Sequence, residues 1–224
     1  MKYYPVNLDI RGRKCLVVGG GAVGTRKVST LVKCGAKVTV VSPIVSSKLT
    51  DLSAKGVIQI KLREYCSSDV NDMFLVIGAT SDEKLNFRIS EDAEQKNLLC
   101  NIADVPEACN FILPAIVTRG DLIIAISTSG NSPAFAKKLR KTLEKQFGEE
   151  YALLLNLMGA IRKKLLANAH EPEAHKHLFE QLLDAGILEM IRDNKIADVN
   201  ILLLKTLGKG YSFETLLPEK QVID

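Results

Sequence analysis

The feature that most narrows what this chain can fold into is a glycine loop near its start. Cys15-Leu-Val-Val-Gly-Gly-Gly-Ala-Val-Gly24 holds Gly19-x-Gly21-x-x-Gly24 directly after a β-branched apolar run and directly before a helical pattern. Each glycine has its own physical task. Gly19 permits the tight turn, Gly21 lets backbone approach a pyrophosphate, and Gly24 allows close helix–strand packing. The helix N-terminus adds free N–H donors and the positive end of its dipole. Strand, loop, helix, Gly35 turn and second strand follow in the order of one βαβ unit, which is more specific than the motif alone. The spacing therefore points to a dinucleotide-binding loop, against a plain glycine turn in an unrelated α/β protein.

The periodicity extends this unit. Strands are expected at Lys14–Val18, Lys37–Val41, Val57–Leu62, Met73–Ala79 and Leu98–Ala103, with helices at Val23–Cys34 and Glu83–Lys96. Nearly continuous apolar runs separated by helices predict a parallel sheet covered on both faces. After Asn110 the pattern changes. Phe111–Val117 and Leu122–Ser127 read as a hairpin around Thr118-Arg119-Gly120-Asp121, and Ser132 with Pro133 marks a helix start. Helices are then expected at Pro133–Phe147, Tyr151–Ala167, Pro172–Ala185, near Leu188–Arg192, and at Asp198–Leu207.

Composition adds exclusions. Of 224 residues, 46% are hydrophobic and 25% charged, so the chain is globular rather than disordered. A net charge of +4 does not announce a nucleic-acid binder, and no apolar stretch is long enough for a membrane span. Five cysteines in no CxxC pair fit a disulfide framework poorly, which predicts a soluble protein of a reducing compartment, the cytoplasm. The histidines are His170, His175 and His177, so chemistry earlier in the chain works without an imidazole. Glu173, His175 and His177 suggest a metal site, but residues two apart on a helix do not face each other, and no metal is expected. Cys15 and Cys100 read as small core residues.

The candidate cofactor residues are Gly19, Gly21, Ala22, Val23 and Gly24 from the loop, Ser42, Pro43 and Ile44 from the end of the second strand, and Thr80 from the fourth. A ribose-binding acid is expected about 20 residues beyond the loop. Val41-Ser42-Pro43-Ile44 stands there instead, so the residues alone leave NAD versus NADP open. Gly78–Asp82 is either a cofactor approach or a plain turn with Asp82 as N-cap. Asp104 follows the fifth strand at the carboxyl edge and is either a proton acceptor or a turn aspartate before Pro106. Asn101 either orients a substrate or satisfies a strand end. Lys137, Lys138, Arg140, Lys141 and Lys145 decorate the helix after Pro133; with Arg119 they form either an anion-binding wall or a solvated face.

Four blocks give the chain a family resemblance. Gly19-Gly-Gly-Ala-Val-Gly-Thr-Arg-Lys27, Asn101-Ile-Ala-Asp104-x-Pro106, Phe111-Ile-Leu-Pro114-Ala-Ile and Ala125-Ile-Ser-Thr-Ser-Gly-Asn-Ser-Pro133 resemble precorrin-2 dehydrogenases, the NAD-dependent part of siroheme synthases. The blocks follow the family's order across about residues 1–145, and the helical remainder matches loosely. The resemblance implies a homodimer that oxidises precorrin-2 to sirohydrochlorin with NAD, some members also inserting iron. It implies Asp104 as the family's catalytic carboxylate, and a tetrapyrrole bearing many carboxylates as the partner of Asn101, Arg119, Lys137, Lys138 and Lys141. The methyltransferase domain of fused siroheme synthases is not expected in 224 residues. Gly24 stands where similar sequences often carry Ala, which should suit the fingerprint equally well. Thr128 replaces a serine that some relatives phosphorylate, so that modification is not carried over. The family also lacks an acid after its second strand, which agrees with Ser42-Pro43.

The expected architecture is α/β: an N-terminal Rossmann-type parallel sheet over 1–113, a dimerisation hairpin and helix over 114–148, and a helical C-terminal domain over 149–224. Two other readings compete with the dehydrogenase. One is a chelatase inserting Fe²⁺ or Co²⁺ into sirohydrochlorin. The other is a non-catalytic NAD-sensing module, which needs neither a basic cleft nor Asp104.

Overall fold

A computed structural model describes residues 2–168 and 172–218, and its chain divides into two compact units, Met1–Leu113 and Pro114–Asp224. The first unit runs β1 (Lys14–Gly20), α1 (Ala22–Lys33), β2 (Lys37–Val45), α2 (Ser47–Ala54), β3 (Ile58–Lys61), β4 (Leu75–Gly78), α3 (Glu83–Gln95) and β5 (Leu99–Ile102). The five strands are parallel, in the order β3-β2-β1-β4-β5. Alternate side chains supply two cores, as the two-residue period of a strand requires. Cys15 and Val17 of β1 join Val28, Leu31 and Leu49 of α1 and α2 on one face. Leu16 and Val18 join Ile89 and Ala93 of α3 on the other. The Rossmann-type parallel sheet expected from the pattern is therefore the fold of this unit. Cys15 and Cys100 are buried in it, and burial pushes both thiols up to about 11.

Two differences from the expected elements have local causes. The helix α2 was not foreseen because Val41-Ser-Pro-Ile-Val-Ser46 interrupts the apolar pattern. Leu49 and Leu52, one turn apart, still bury that helix against the sheet. β2 also outlasts the expected Val41. Its pairing jumps from Val18↔Val41 to Gly20↔Val45, so β2 carries two more residues than β1 across this interval. Ser42 and Pro43 lie within this bulged stretch rather than at a strand end.

The second unit opens with β6 (Ala115–Arg119) and β7 (Leu122–Ile126), an antiparallel pair in which Arg119 faces Leu122. The hairpin loop is thus Gly120-Asp121, shorter than the four residues expected, with Gly120 at φ 53° supplying the positive φ at its first position. β6 begins four residues later than Phe111, because that segment packs back on β5. Helix α4 (Pro133–Gln146) starts at Ser132, whose hydroxyl accepts from the Phe135 amide at 3.2 Å. It seals Ala136, Leu139 and Leu143 over Val117 and Ile126. Helices α5 (Glu150–Asn168), α6 (Pro172–Asp184), α7 (Ile187–Arg192), α8 (Ile196–Leu207) and α9 (Phe213–Leu216) surround a separate core that includes Leu157, Ile161, Leu182 and Leu203. Among the described residues no helix is long and apolar enough to cross a membrane.

Candidate functional site

In an open parallel sheet, ligands bind at the carboxyl ends where the strand order reverses, here between β1 and β4. The glycine loop occupies that point. Gly19 has φ 110°, and a Cβ there would press into the Ala79 carbonyl, so glycine brings the loop against the end of β4. Gly21 is the N-cap of α1 without any side-chain cap, and a Cβ on it would meet nothing within 4 Å. The first turn of α1 contains no acid, leaving its amide N–H groups and dipole end unopposed. Gly24 is where the structure corrects expectation. Its Cβ would run into the Gly19 carbonyl oxygen, so Ala does not suit this backbone equally well.

A crevice of about 870 Å³ opens from the loop. Gly19, Gly21, Ala22, Val23, Ser42, Pro43 and Thr80 all line it. Ser42 is buried and its hydroxyl donates to the Ile44 carbonyl at 2.7 Å, which leaves its lone pairs as acceptors. Ile44 does not line the crevice; its side chain is 81% exposed. The turn after β4 carries the expected cap and also borders the crevice. Asp82 caps α3 by accepting from the Leu85 amide at 3.1 Å, while Ala79–Asp82 line the crevice. Thr80 is fixed by buried Asn86: its hydroxyl donates to Asn86 Oδ1 at 2.9 Å, and Asn86 Nδ2 donates to the Thr80 carbonyl at 3.0 Å.

The far wall escaped the sequence reading. Glu64 and Tyr65 follow β3 and Arg88 sits on α3, and all three line the crevice. Tyr65 donates its hydroxyl to Asp92 at 2.7 Å, with burial first and this bond second raising its phenol well above the usual range. Arg88 stacks 5.6 Å from the Tyr65 ring centroid and donates to Ser67 at 3.0 Å. Buried Asp69 anchors the segment. It accepts from Arg63 at 2.6 and 2.7 Å, from Lys61 at 2.9 Å and from the Cys66 amide at 3.1 Å. The Arg63 guanidinium, foremost, holds that carboxyl well below the usual carboxylate range. The available signal was position, since β3 lies beside β2 in this strand order.

Asp104 and Asn101 do not line the crevice. Asp104 is exposed, on the turn after β5, at a left-handed φ of 63°. Half-buried Lys27 of α1 responds to it electrostatically: burial and then Arg26 lower its ammonium, while Asp104 and Cys109 pull it the other way. Asn101 is buried and donates to the Phe111 carbonyl at 3.1 Å.

The remaining candidates belong to the second unit. Arg119 donates to the Thr118 and Glu144 carbonyls, each at 2.8 Å, and its Nε lies 3.3 Å from Glu149. Lys137, Lys138 and Lys141 are exposed on α4, while Arg140 pairs with Glu144. His175 is buried, His177 is exposed and within 3.1 Å of Gln181, and His170 lies outside the described residues.

The loop fits a dinucleotide on its own geometry: open space where a Gly21 Cβ would stand, and an unopposed helix N-terminus behind it. Comparison with known proteins agrees. Residues 6–115 match a family model described as NAD(P)-binding, and residues 119–146 match the sirohaem biosynthesis protein central model. A siroheme synthase from Thioalkalivibrio sulfidiphilus is 37% identical over 210 residues, 94% of this chain and 43% of that protein. One from Nitrosococcus oceani is 37% identical over 191 residues, 85% of this chain and 41% of that protein. The chain thus spans about two-fifths of the length of these curated relatives. The solved structure of SirC, a precorrin-2 dehydrogenase, is similar at 31% identity and a TM-score of 0.68, covering 80% of this chain and 89% of that one.

Proposed function

The chain belongs to the precorrin-2 dehydrogenase family, and on that premise we propose that it oxidises precorrin-2 to sirohydrochlorin with NAD as hydride acceptor. The observation that carries the proposal is the glycine loop, which leaves the space and the free amides a pyrophosphate requires. When bound, the dinucleotide supplies the electron sink; the chain's residues bind, orient and move the proton. The α1 amides of Ala22 and Val23 hold the pyrophosphate, and Gly21 leaves room for it. Ser42 accepts from a ribose hydroxyl, since its own hydrogen is engaged by Ile44. Glu64 supports NAD over NADP. It brings a carboxylate from beyond β3 to the crevice that Ser42 and Pro43 also line, and a 2′-phosphate beside it would meet like charge.

Loss of a hydride from the macrocycle must be accompanied by loss of a proton, and Asp104 is the proposed acceptor. Exposed Lys137, Lys138 and Lys141 on α4 attract the substrate's carboxylates. We place two copies together through the hairpin, whose Ile116 and Ile123 are 42% and 54% exposed. A two-stranded sheet with an apolar outer face gains by such burial. The exposed Cys34 thiol and the odd cysteine count support a reducing, cytoplasmic setting.

The test is NADH formation from precorrin-2, run with NAD and with NADP, in wild type and Asp104→Asn. The variant should bind NAD normally and turn over roughly 10²–10⁴-fold more slowly. Wild type without NADH formation refutes the function, and a folded Asp104→Asn with full turnover eliminates Asp104 as the base.

A further inference from the structure

β5 is an edge strand, and its outward backbone groups need partners that a sixth strand would ordinarily supply. Here the chain returns along it and pairs largely through side chains. Asn110 donates its backbone N–H to the Cys100 carbonyl at 3.1 Å. Its side chain accepts from the Cys100 amide at 2.8 Å and donates to the Leu98 carbonyl at 2.7 Å. One step on, the Cys109 sulfur accepts from the Ile102 amide at 3.1 Å. The same sulfur lies 3.3 Å from the Ile102 carbonyl and 3.2 Å from that of Val105, so its hydrogen reaches one of them.

Those contacts bracket one residue pair. Ile102 and Val105 are the two ends of the turn that carries Ala103 and Asp104, closed by a long Val105 N–H to Ile102 carbonyl bond of 3.4 Å. Asp104 adopts a left-handed φ of 63°, a conformation that Asp tolerates better than most L-residues but that is still uncommon outside glycine. The backbone bond across the turn is weak, while the sulfur at its base accepts from the Ile102 amide at one end and lies 3.2 Å from the Val105 carbonyl at the other.

We infer that Cys109 is a positioning residue: its thiol clasps the Ile102–Val105 turn and thereby fixes where the Asp104 carboxylate stands. This deepens the dehydrogenase reading above and rests on it. As a positioning residue, Cys109 acts only through Asp104.

The experiment compares full-length wild type, Cys109→Ala, Cys109→Ser and the double variant Cys109→Ala/Asp104→Asn. Amide exchange at Ile102 reads the clasp without any cofactor or turnover. Cys109→Ala should expose that amide and lower kcat by roughly tenfold to hundredfold, with the KM for NAD unchanged, as small misplacements of a catalytic group do. Ser still offers one donor and one acceptor on a shorter arm, so Cys109→Ser should fall between in both readouts. The double variant should be no slower than Asp104→Asn alone. Equal turnover in a folded Cys109→Ala, multiplying losses in the double variant, or exchange and kcat moving independently would each overturn the proposal. Should Cys109→Ala not fold, the correlation is read in Cys109→Ser against wild type. A wild type that makes no NADH from precorrin-2 removes the function itself, while Ile102 exchange still reports whether the clasp exists.

Discussion

Gly24→Ala puts the helix–loop contact to a quantitative test. The added Cβ would overlap the Gly19 carbonyl oxygen and stand 3.0 Å from its carbon, whereas carbon atoms attract best at about 3.5–4.0 Å. Gly19 has little room to retreat, because even a Cβ on it would press into the Ala79 carbonyl. α1 must therefore withdraw from β1 by roughly an ångström. Overpacking of this kind costs about 1–3 kcal/mol. Replacing a helical glycine with alanine returns about 1 kcal/mol through propensity, so the net loss is up to roughly 2 kcal/mol. For a unit of this length that is a fall in Tm of at most about 8 °C. The two units can melt separately, so the transition to follow by calorimetry is the one that added NAD raises. Affinity should suffer more than its share. Withdrawing α1 carries its N-terminal amides away from the pyrophosphate, and each 1.4 kcal/mol lost there is about tenfold in Kd. A variant with wild-type stability and wild-type NAD affinity would refute the argument and show a looser helix–loop contact in solution.

Gly21→Asp should do the opposite: its Cβ meets nothing and φ is −76°, so the fold holds, while negative charge at the pyrophosphate position abolishes NAD binding. Unchanged affinity in calorimetry contradicts the assignment. At Asp69 the depressed folded pKa, due chiefly to Arg63, contributes stability above the unfolded value of about 3.9. That contribution is lost as pH falls through the folded value. Asp69→Asn should cost about 1–2 kcal/mol at pH 7 in urea melts, a figure discounted because Lys61 and Arg63 are each over 40% exposed. It should also flatten the acid limb; parallel acid limbs would show that Asp69 is not the titrating group. Ile123→Glu should turn a dimer into a monomer by light scattering at micromolar concentration, and a monomeric wild type would defeat the proposed hairpin interface.

The first unit was legible because its signals are local and redundant. β1, α1, β4 and α3 each combine an unbroken apolar period with a recognisable boundary, such as Gly35 after α1 or Asp82 before α3. The hairpin was legible in kind but not in register. Phe111–Leu113 is as apolar as a strand, and only the edge of β5 decides that Phe111 gives its carbonyl to Asn101 instead. No periodicity encodes a partner ten residues upstream. Cys109 was invisible for the same reason: a sulfur accepting a backbone N–H carries no sequence signature.

The second-strand acid shows a deeper limit of reading by spacing. The rule that a ribose-binding carboxylate lies about 20 residues past the loop presumes a strand that runs straight and stops at the sheet edge. β2 does neither: two added residues carry Ser42 and Pro43 into the crevice and continue the strand to Val45. The Ser42 hydroxyl turns to the Ile44 carbonyl, and the β2 residues lining the crevice include no acid. The acids on its wall come from elsewhere, Glu64 from beyond β3 and Asp82 from the turn before α3. β3 ends at Lys61, and the Asp69 carboxylate draws Lys61 and Arg63 together. That bend carries Glu64 and Tyr65 to the crevice wall. A wall acid missing from β2 is thus present just beyond β3, next to an ion cluster whose members lie eight residues apart or fewer.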